Sequence, residues 1–257
     1  MAHFMFHPKD TLVSIAALIL LALPLDATAQ SSTSTGIFPT WNHSGKISDR
    51  LSYGAYYFTA EHIGGTGSAY IKSSFLRYGE QSLTWALLPN LKLTGSYVFE
   101  RLKTRDGWWR RENRYYAQIS YHTTSGDTRF THRVRFDGRY IEQRKDGPFV
   151  YGHRIRYLTG FQKSLKKTEA LKYVGAYNEF FFNTSDEGPV IYAENWASAY
   201  VGFPITKRFT IEAGPLYIFW VTGEGRSLNN LLYGQITLST ELDLKRSAAS
   251  STMAPAN

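Results

Sequence analysis

Between residues 128 and 156 arginine recurs at two-residue spacing. Arg129, Arg133, Arg135 and Arg139 share one parity with Thr131 and Asp137, and Arg154 and Arg156 repeat the pattern a segment later. Side chains two apart on an extended strand point the same way, so each run is a row of guanidinium groups on one face. Glu179, Glu194 and Glu212 occupy similar faces in the segments that follow. Such rows have two chemical uses. They can neutralise one another as a buried ion network, because an unpaired charge in a narrow interior is costly. They can also ring an opening and bias it toward anions.

A second constellation is Arg105-Asp-Gly-Trp-Trp-Arg-Arg111. Trp108, Trp109, Arg110 and Arg111 combine amphipathic rings with positive charge, which suits an interface against anionic lipid headgroups. In an intracellular protein the same string would suggest single-stranded nucleic acid. Hydrolytic chemistry has less support. His43, His62, His122, His132 and His153 are available, and Ser120 shares a face with His122, but no third group stands behind the histidine in the pattern and there is no Gly-x-Ser-x-Gly motif. Glu61 and His62 are adjacent and so lie on opposite strand faces. Asp186-Glu187 is a pair of loop acids, and the chain has no cysteine. No metal and no cofactor is expected.

The elements that must carry these rows are strands. From about Leu51 to Leu244 the chain divides into segments of alternating apolar and polar residues, starting near 51, 70, 91, 113, 128, 149, 170, 190, 208 and 230. In the last one, Leu232, Gly234, Ile236 and Leu238 oppose Tyr233, Gln235, Thr237 and Ser239. The segments exceed a usual strand of about 5–6 residues, the polar faces are crowded with charge, and aromatics make up 16% of the chain. An arginine facing lipid at the bilayer midplane would cost about 2–4 kcal/mol, so the arginine rows must face inward. The pattern predicts an all-β, antiparallel up-and-down transmembrane β-barrel of about ten strands, with twelve possible. Tight turns at Pro89-Asn90, Ser125–Asp127, Lys166–Thr168 and Thr206–Arg208 alternate with longer connections at 103–113, 144–148, 184–189 and 223–230. That rhythm predicts the carboxyl terminus on the periplasmic side.

The flanks fit export. Lys9 precedes an apolar run from Leu12 to Leu23, Pro24 ends it, and Ala27-Thr-Ala29 matches a cleavage site. Residues 1–29 therefore read as a secretory signal peptide. Its removal takes one lysine and two aspartates and raises the formal charge from +8 to +9. Gly36–Ile47 could make an eleventh strand, but it is weakly patterned and contains Pro39, and residues 30–49 are read as an N-terminal lead. Residues 50–244 form the barrel, and 245–257 form a disordered polar tail. The expected location is the bacterial outer membrane. The expected partners are outer-membrane lipids, lipopolysaccharide and the barrel assembly machinery, with no nucleic acid. A lipid-modifying outer-membrane enzyme of acyl-hydrolase type is the alternative function, and a soluble periplasmic β-protein the second.

Ala176-Tyr-Asn-Glu-Phe-Phe-Phe-Asn183 resembles the signature strand of the domain-of-unknown-function 2490 family, whose members are predicted bacterial outer-membrane barrels without an assigned activity. His132-Arg-Val-Arg-Phe136 with Arg139, then Arg154-Ile-Arg156, resembles that family's paired arginine-rich strands, and Ile211-Glu-Ala-Gly214 its next-to-last strand. The similarity covers roughly residues 50–244. One departure stands out. The strand after the signature usually opens Phe-Asp-x-Asn-Arg, whereas here it reads Tyr192-Ala-Glu-Asn-Trp196. The resemblance implies a barrel with a charged lumen and no known chemistry.

Overall fold

The computed structural model describes residues 30–66, 73–104, 106–165, 171–185, 188–222 and 227–244. Residues 1–29, where a signal peptide is expected, Arg105, Asp186, Glu187 and the stretch from 245 lie outside the described residues. All regular structure described is strand, and no described helix is long and apolar enough to cross a membrane, which says nothing of a β-barrel.

Eleven strands close into one barrel: β1 (Gln30–Lys46), β2 (Leu51–Thr66), β3 (Ser73–Leu88), β4 (Leu91–Lys103), β5 (Trp109–Ser125), β6 (Thr128–Glu142), β7 (Phe149–Ser164), β8 (Tyr173–Ser185), β9 (Gly188–Pro204), β10 (Phe209–Thr222) and β11 (Ser227–Glu241). Ten of them begin within four residues of the positions expected from alternation. The eleventh corrects the reading of residues 30–49. Gln30–Lys46 is a full wall strand, not a lead segment. Its even positions Ser32, Ser34, Phe38 and Thr40 are buried while Ile37 and Trp41 are exposed, so it carries the two-residue period. Pro39 is accommodated because β1 and β2 lose their pairing between Ile37↔Glu61 and Thr40↔Phe58, where a proline has no N–H to donate.

An odd strand number changes the topology. Ten neighbouring pairs are antiparallel, but β1 meets β11 in parallel, in register from Gln30↔Ser227 to Ser44↔Glu241. The wall is therefore mixed rather than purely up-and-down, and the two chain ends leave it at opposite rims. Connection lengths are less regular than the sequence suggested. Eight residues join Ser164 to Tyr173 at the rim expected to carry tight turns, and two join Ser185 to Gly188 at the other. The tight turn at 126–127 is as expected, with Gly126 at φ +57°, a left-handed conformation that favours glycine at the first position of a two-residue hairpin loop.

The inside of the barrel is the core, and it has two sectors. One is aromatic and aliphatic. Phe38, Phe58 and Tyr78 stack in series at 4.5 Å and 4.5 Å, with Val98, Leu216, Ile218, Leu231 and Tyr233 buried around them. The other sector, on β3 to β9, is charged. The outer surface is the reverse of a soluble protein's. Leu83, Trp85, Tyr97, Ile119, Val134 and Ile236 are each more than half exposed. Outward rings also cover wall glycines: a Cβ at Gly79 would lie 2.3 Å from Phe99 Cζ, and one at Gly138 2.5 Å from Tyr115 Cζ, so these positions admit no larger residue without moving a ring.

The parallel seam can be tested directly, because the chain has no cysteine of its own. Thr40→Cys with Thr237→Cys places two thiols on directly paired positions, within the reach of a disulfide. The refolded double variant should oxidise to a faster-migrating, dithiothreitol-sensitive species. Thiols that stay free would mean that β1 does not close on β11.

Candidate functional site

The charged sector is built from strand parity. Lumen-facing positions on β3 to β9 carry six carboxylates (Glu80, Glu100, Glu112, Asp137, Glu179, Glu194) and, besides Arg110 near the start of β5, the six arginines Arg114, Arg133, Arg135, Arg139, Arg154 and Arg156. Two glutamates act as hubs. Glu179 accepts from Arg133 Nη2 at 2.6 Å, from Arg156 Nε at 2.8 Å and, through its second oxygen, from Arg156 Nη2 at 2.9 Å. Glu112 accepts from Arg114 Nε at 2.5 Å and takes a two-pronged contact from Arg139 at 2.6 and 2.9 Å. Bidentate geometry of this kind is the strongest form of carboxylate recognition.

The arginines link the hubs to one another. Glu100 and Glu112 are direct cross-strand partners, a like-charge pairing that would be destabilising alone. Arg114 resolves it by reaching Glu100 with Nη2 at 2.5 Å while Nε holds Glu112. Arg154 donates to Asn183 at 2.9 Å and meets Glu194 at 3.1 Å, and Arg139 donates to the same Asn183 oxygen at 3.2 Å. Arg135 donates to Gln118 at 2.9 Å, stands 3.6 Å from Glu80 and lies over the Tyr116 ring at 3.8 Å. Tyr78 and Tyr116 both donate to Glu80, at 2.6 and 2.5 Å. Asp137 is 1% exposed and faces Arg154 across the β6–β7 pair. Neither of its oxygens has a hydrogen-bond partner among the described residues. It sits between Arg135 and Arg139 on its own strand, as a bare counter-charge within the arginine rows.

Phe181 marks the border between the sectors. Arg156 lies over its ring at 4.3 Å, and Trp196 packs on it at 5.4 Å. A cavity of about 650 Å³ remains along the lumen, lined on one side by Arg133, Arg156 and Glu179 and on the other by Phe58, Trp196 and Leu231.

Of the lumen residues expected from sequence, Arg133, Arg135, Arg139, Arg154, Arg156, Glu179 and Glu194 come together as a single network. Glu212 does not join it. It accepts from Tyr173 at 2.5 Å and has no arginine partner among the described residues. The expected interface string divides. Trp109 and Arg111 face outward, with Arg77 over the Trp109 ring at 4.8 Å and Arg111 paired with Glu142 at 2.6 Å. Trp108 lies in the β4–β5 turn, where its carbonyl accepts from Thr104 at 2.8 Å. Arg110 turns the other way and lines the lumen cavity. Glu80, Glu100, Glu112 and Arg114 were not anticipated. Reading residues 103–113 as a connection removed Glu112 from the wall, although Glu112, Arg114, Tyr116 and Gln118 already alternate. Four of the histidines bond to hydroxyls: His43 to Thr240 at 2.6 Å, His62 to Tyr233 at 2.8 Å, His122 to Thr131 at 3.1 Å and His132 to Tyr157 at 3.0 Å. No group of three or more potential metal ligands occurs among the described residues.

The comparison with protein families matches residues 31–228 to a family described as "Protein of unknown function (DUF2490)". The chain belongs to this family. The matched region begins with β1, consistent with that strand being part of the wall, and ends at the start of β11. No curated protein and no solved structure matches the chain. Within this DUF2490 barrel the signature strand is β8, and it supplies the Glu179 hub, Phe181 and the Asn183 acceptor. On β9 Ala193 is buried at the irregularity where the β8–β9 register shifts, between Tyr192 and Glu194, and Trp196 faces the lumen. Trp196 belongs to the aromatic sector, in edge contact with Phe38 at 5.8 Å.

The hub predicts a stability hierarchy. Glu179→Gln strands Arg133 and Arg156 in a buried site and should cost about 3–5 kcal/mol. Glu212→Gln keeps an oxygen to accept from Tyr173, strands no arginine and should cost no more than about 1 kcal/mol. Urea unfolding of the refolded barrel, followed by tryptophan fluorescence, measures both, and equal costs would mean that the network is not what holds the lumen together.

Proposed function

We propose that this protein is an outer-membrane β-barrel whose lumen is held shut by its arginine–carboxylate network, and that its role is structural rather than that of an open pore. The observation that carries this reading is the inversion of the wall. Large apolar and aromatic side chains stand exposed around the outside, and the ions are turned inward. A contiguous apolar surface of this extent needs a partner, and a lipid bilayer is the partner that fits a closed, edge-free barrel. The strands are 13–17 residues long, more than the roughly 9–11 needed to cross a hydrocarbon core, so their ends reach the headgroups. The signal peptide supplies the export route. Outer-membrane lipids, lipopolysaccharide and the barrel assembly machinery are the partners this location implies.

Charge pairing favours a plug. The six central arginines have carboxylate neighbours in about equal number, so the lumen offers an anion little net attraction. The second reading, a narrow anion-biased channel, draws on the cavity that remains between the two sectors. An acyl-hydrolase reading draws on none of the histidine contacts, which run to threonine and tyrosine hydroxyls.

Planar-bilayer recording of the refolded protein separates the readings, after its heat-modifiable mobility on gels has been checked. The plugged barrel should give a heat-modifiable band and no steady conductance. Anion-selective steps that diminish in Arg135→Glu or Arg154→Glu would establish the channel instead. A protein that remains soluble, without detergent and without a heat-modifiable band, would remove the membrane reading altogether.

A further inference from the structure

A row of three arginines crosses the outer face of the barrel near the rim that carries the 104–108 connection. Arg77 on β3 is the direct register partner of Arg101 on β4, and Arg101 is the direct partner of Arg111 on β5. All three lie on the outward parity, opposite to that of Tyr78, Glu100 and Glu112. Neighbouring strands stand about 4.8 Å apart, so three cationic stems are held within about 10 Å. Like charges directly opposite one another in a sheet repel, and a lone row of this kind calls for counter-charge. Only its β5 end has one: Arg111 pairs with Glu142 at 2.6 Å, with the exposed Asp146 farther off at 3.8 Å. Arg77 lies over Trp109, and Arg101 donates to the Glu100 carbonyl at 3.1 Å. Neither has a carboxylate partner among the described residues.

The surface below the row is mainly apolar, interrupted by Gln81 on β3 and Asn113 on β5. Phe99, Tyr97 and Leu93 descend along β4, flanked by Leu83 and Trp85 on β3 and by Tyr115 and Ile119 on β5, all exposed. A charged rim above a greasy wall is the shape of an amphiphile with an anionic head. We propose that the Arg77–Arg101 pair, with Trp109 beside it, binds the phosphate of a membrane lipid whose chains lie along the Phe99–Leu93 stripe. This rests on the membrane reading above and gives it a definite ligand chemistry. The phosphate supplies the charge that the row lacks, and its oxygens can accept from both guanidinium groups at once. Trp109 keeps the indole at headgroup depth.

Native mass spectrometry of the refolded protein in detergent micelles tests the proposal. The probes are phosphatidic acid and diacylglycerol with the same acyl chains, which differ in the phosphate alone. The wild type should retain phosphatidic acid over diacylglycerol by at least about tenfold, the worth of one charge-assisted hydrogen bond. Arg77→Gln with Arg101→Gln should abolish that preference. Lys163→Gln, on the outward face at the opposite rim, should leave it unchanged. The double variant relieves repulsion and should keep the heat-modifiable band. Equal retention of the two lipids, or a preference that survives the double variant, in a protein that still shows that band would overturn the lipid site and leave the barrel reading standing. Displacement of phosphatidic acid by millimolar inorganic phosphate would overturn the lipid as occupant. Absence of the heat-modifiable band in the wild type would overturn the barrel reading and this proposal with it.

Discussion

The structure depends on matching the guanidinium groups clustered in the charged sector of the lumen. Moving a charge out of water costs several kcal/mol even after relaxation, and the cost is recovered only when geometry and remaining hydrogen bonds are satisfied. Arg114, Arg135, Arg139, Arg154 and Arg156 are each less than a tenth exposed, so they are met mainly by protein. Glu179 and Glu112 each serve two arginines, Asn183 serves two more bonds, and Glu80 is fixed by two tyrosine hydroxyls. The contacts span β3 to β9, so each hub also fixes the relative heights of the strands that feed it. A one-residue slip of any of them would turn its charges to the outer face.

The aromatic sector answers the same constraint where charges are absent. Phe38, Phe58, Tyr78, Trp196 and Tyr233 fill the side of the barrel formed by β1 to β3 and β9 to β11. This is also the side of the parallel seam. The seam lies where dispersion and apolar burial hold the wall, and the antiparallel strands carry the ion network. A barrel with β1 left out would lose Phe38 from the centre of that stack and would have to close β2 on β11 through residues that now pack against it.

Alternation made most of this legible. The two-residue period located ten strands to within a few residues, and it assigned the arginine rows to the lumen because lipid would not tolerate them. It failed at β1 because Pro39 and a run of serine, threonine and glycine hide the period, and what reveals the strand is partnership with β11, which no local pattern contains. Glu112 and Arg114 were lost for a related reason. Trp108-Trp-Arg-Arg111 has the composition of a loop, yet its side chains already alternate, Arg110 inward and Arg111 outward. Pairings could not be read at all. That Glu179 would be a hub and Glu212 a bystander follows from which strands are neighbours and at what height, and those are properties of the closed barrel.

The signature strand shows how tightly the two faces are coupled. Glu179 points inward to its arginines, while Asn178 beside it has the outward parity and is buried, where an amide is expensive unless it is bonded. It is bonded: Asn195 on β9 donates to the Asn178 side-chain oxygen and, at 3.1 Å, to the backbone carbonyl of Glu179 itself. Both asparagines are 3% exposed. The amide pair fastens β8 to β9 behind the hub, and the hub fastens β8 to β6 and β7 in front. Replacing Asn195 with an apolar residue would take from Asn178 its side-chain partner, which is the costly arrangement, whereas replacing Asn178 would leave Asn195 its bond to the Glu179 carbonyl. The Asn-Glu dipeptide therefore acts as one unit, an outer clamp that fixes the position of an inner charge. That is a physical reason for this strand to carry a recognisable motif in a barrel whose other strands need only alternate.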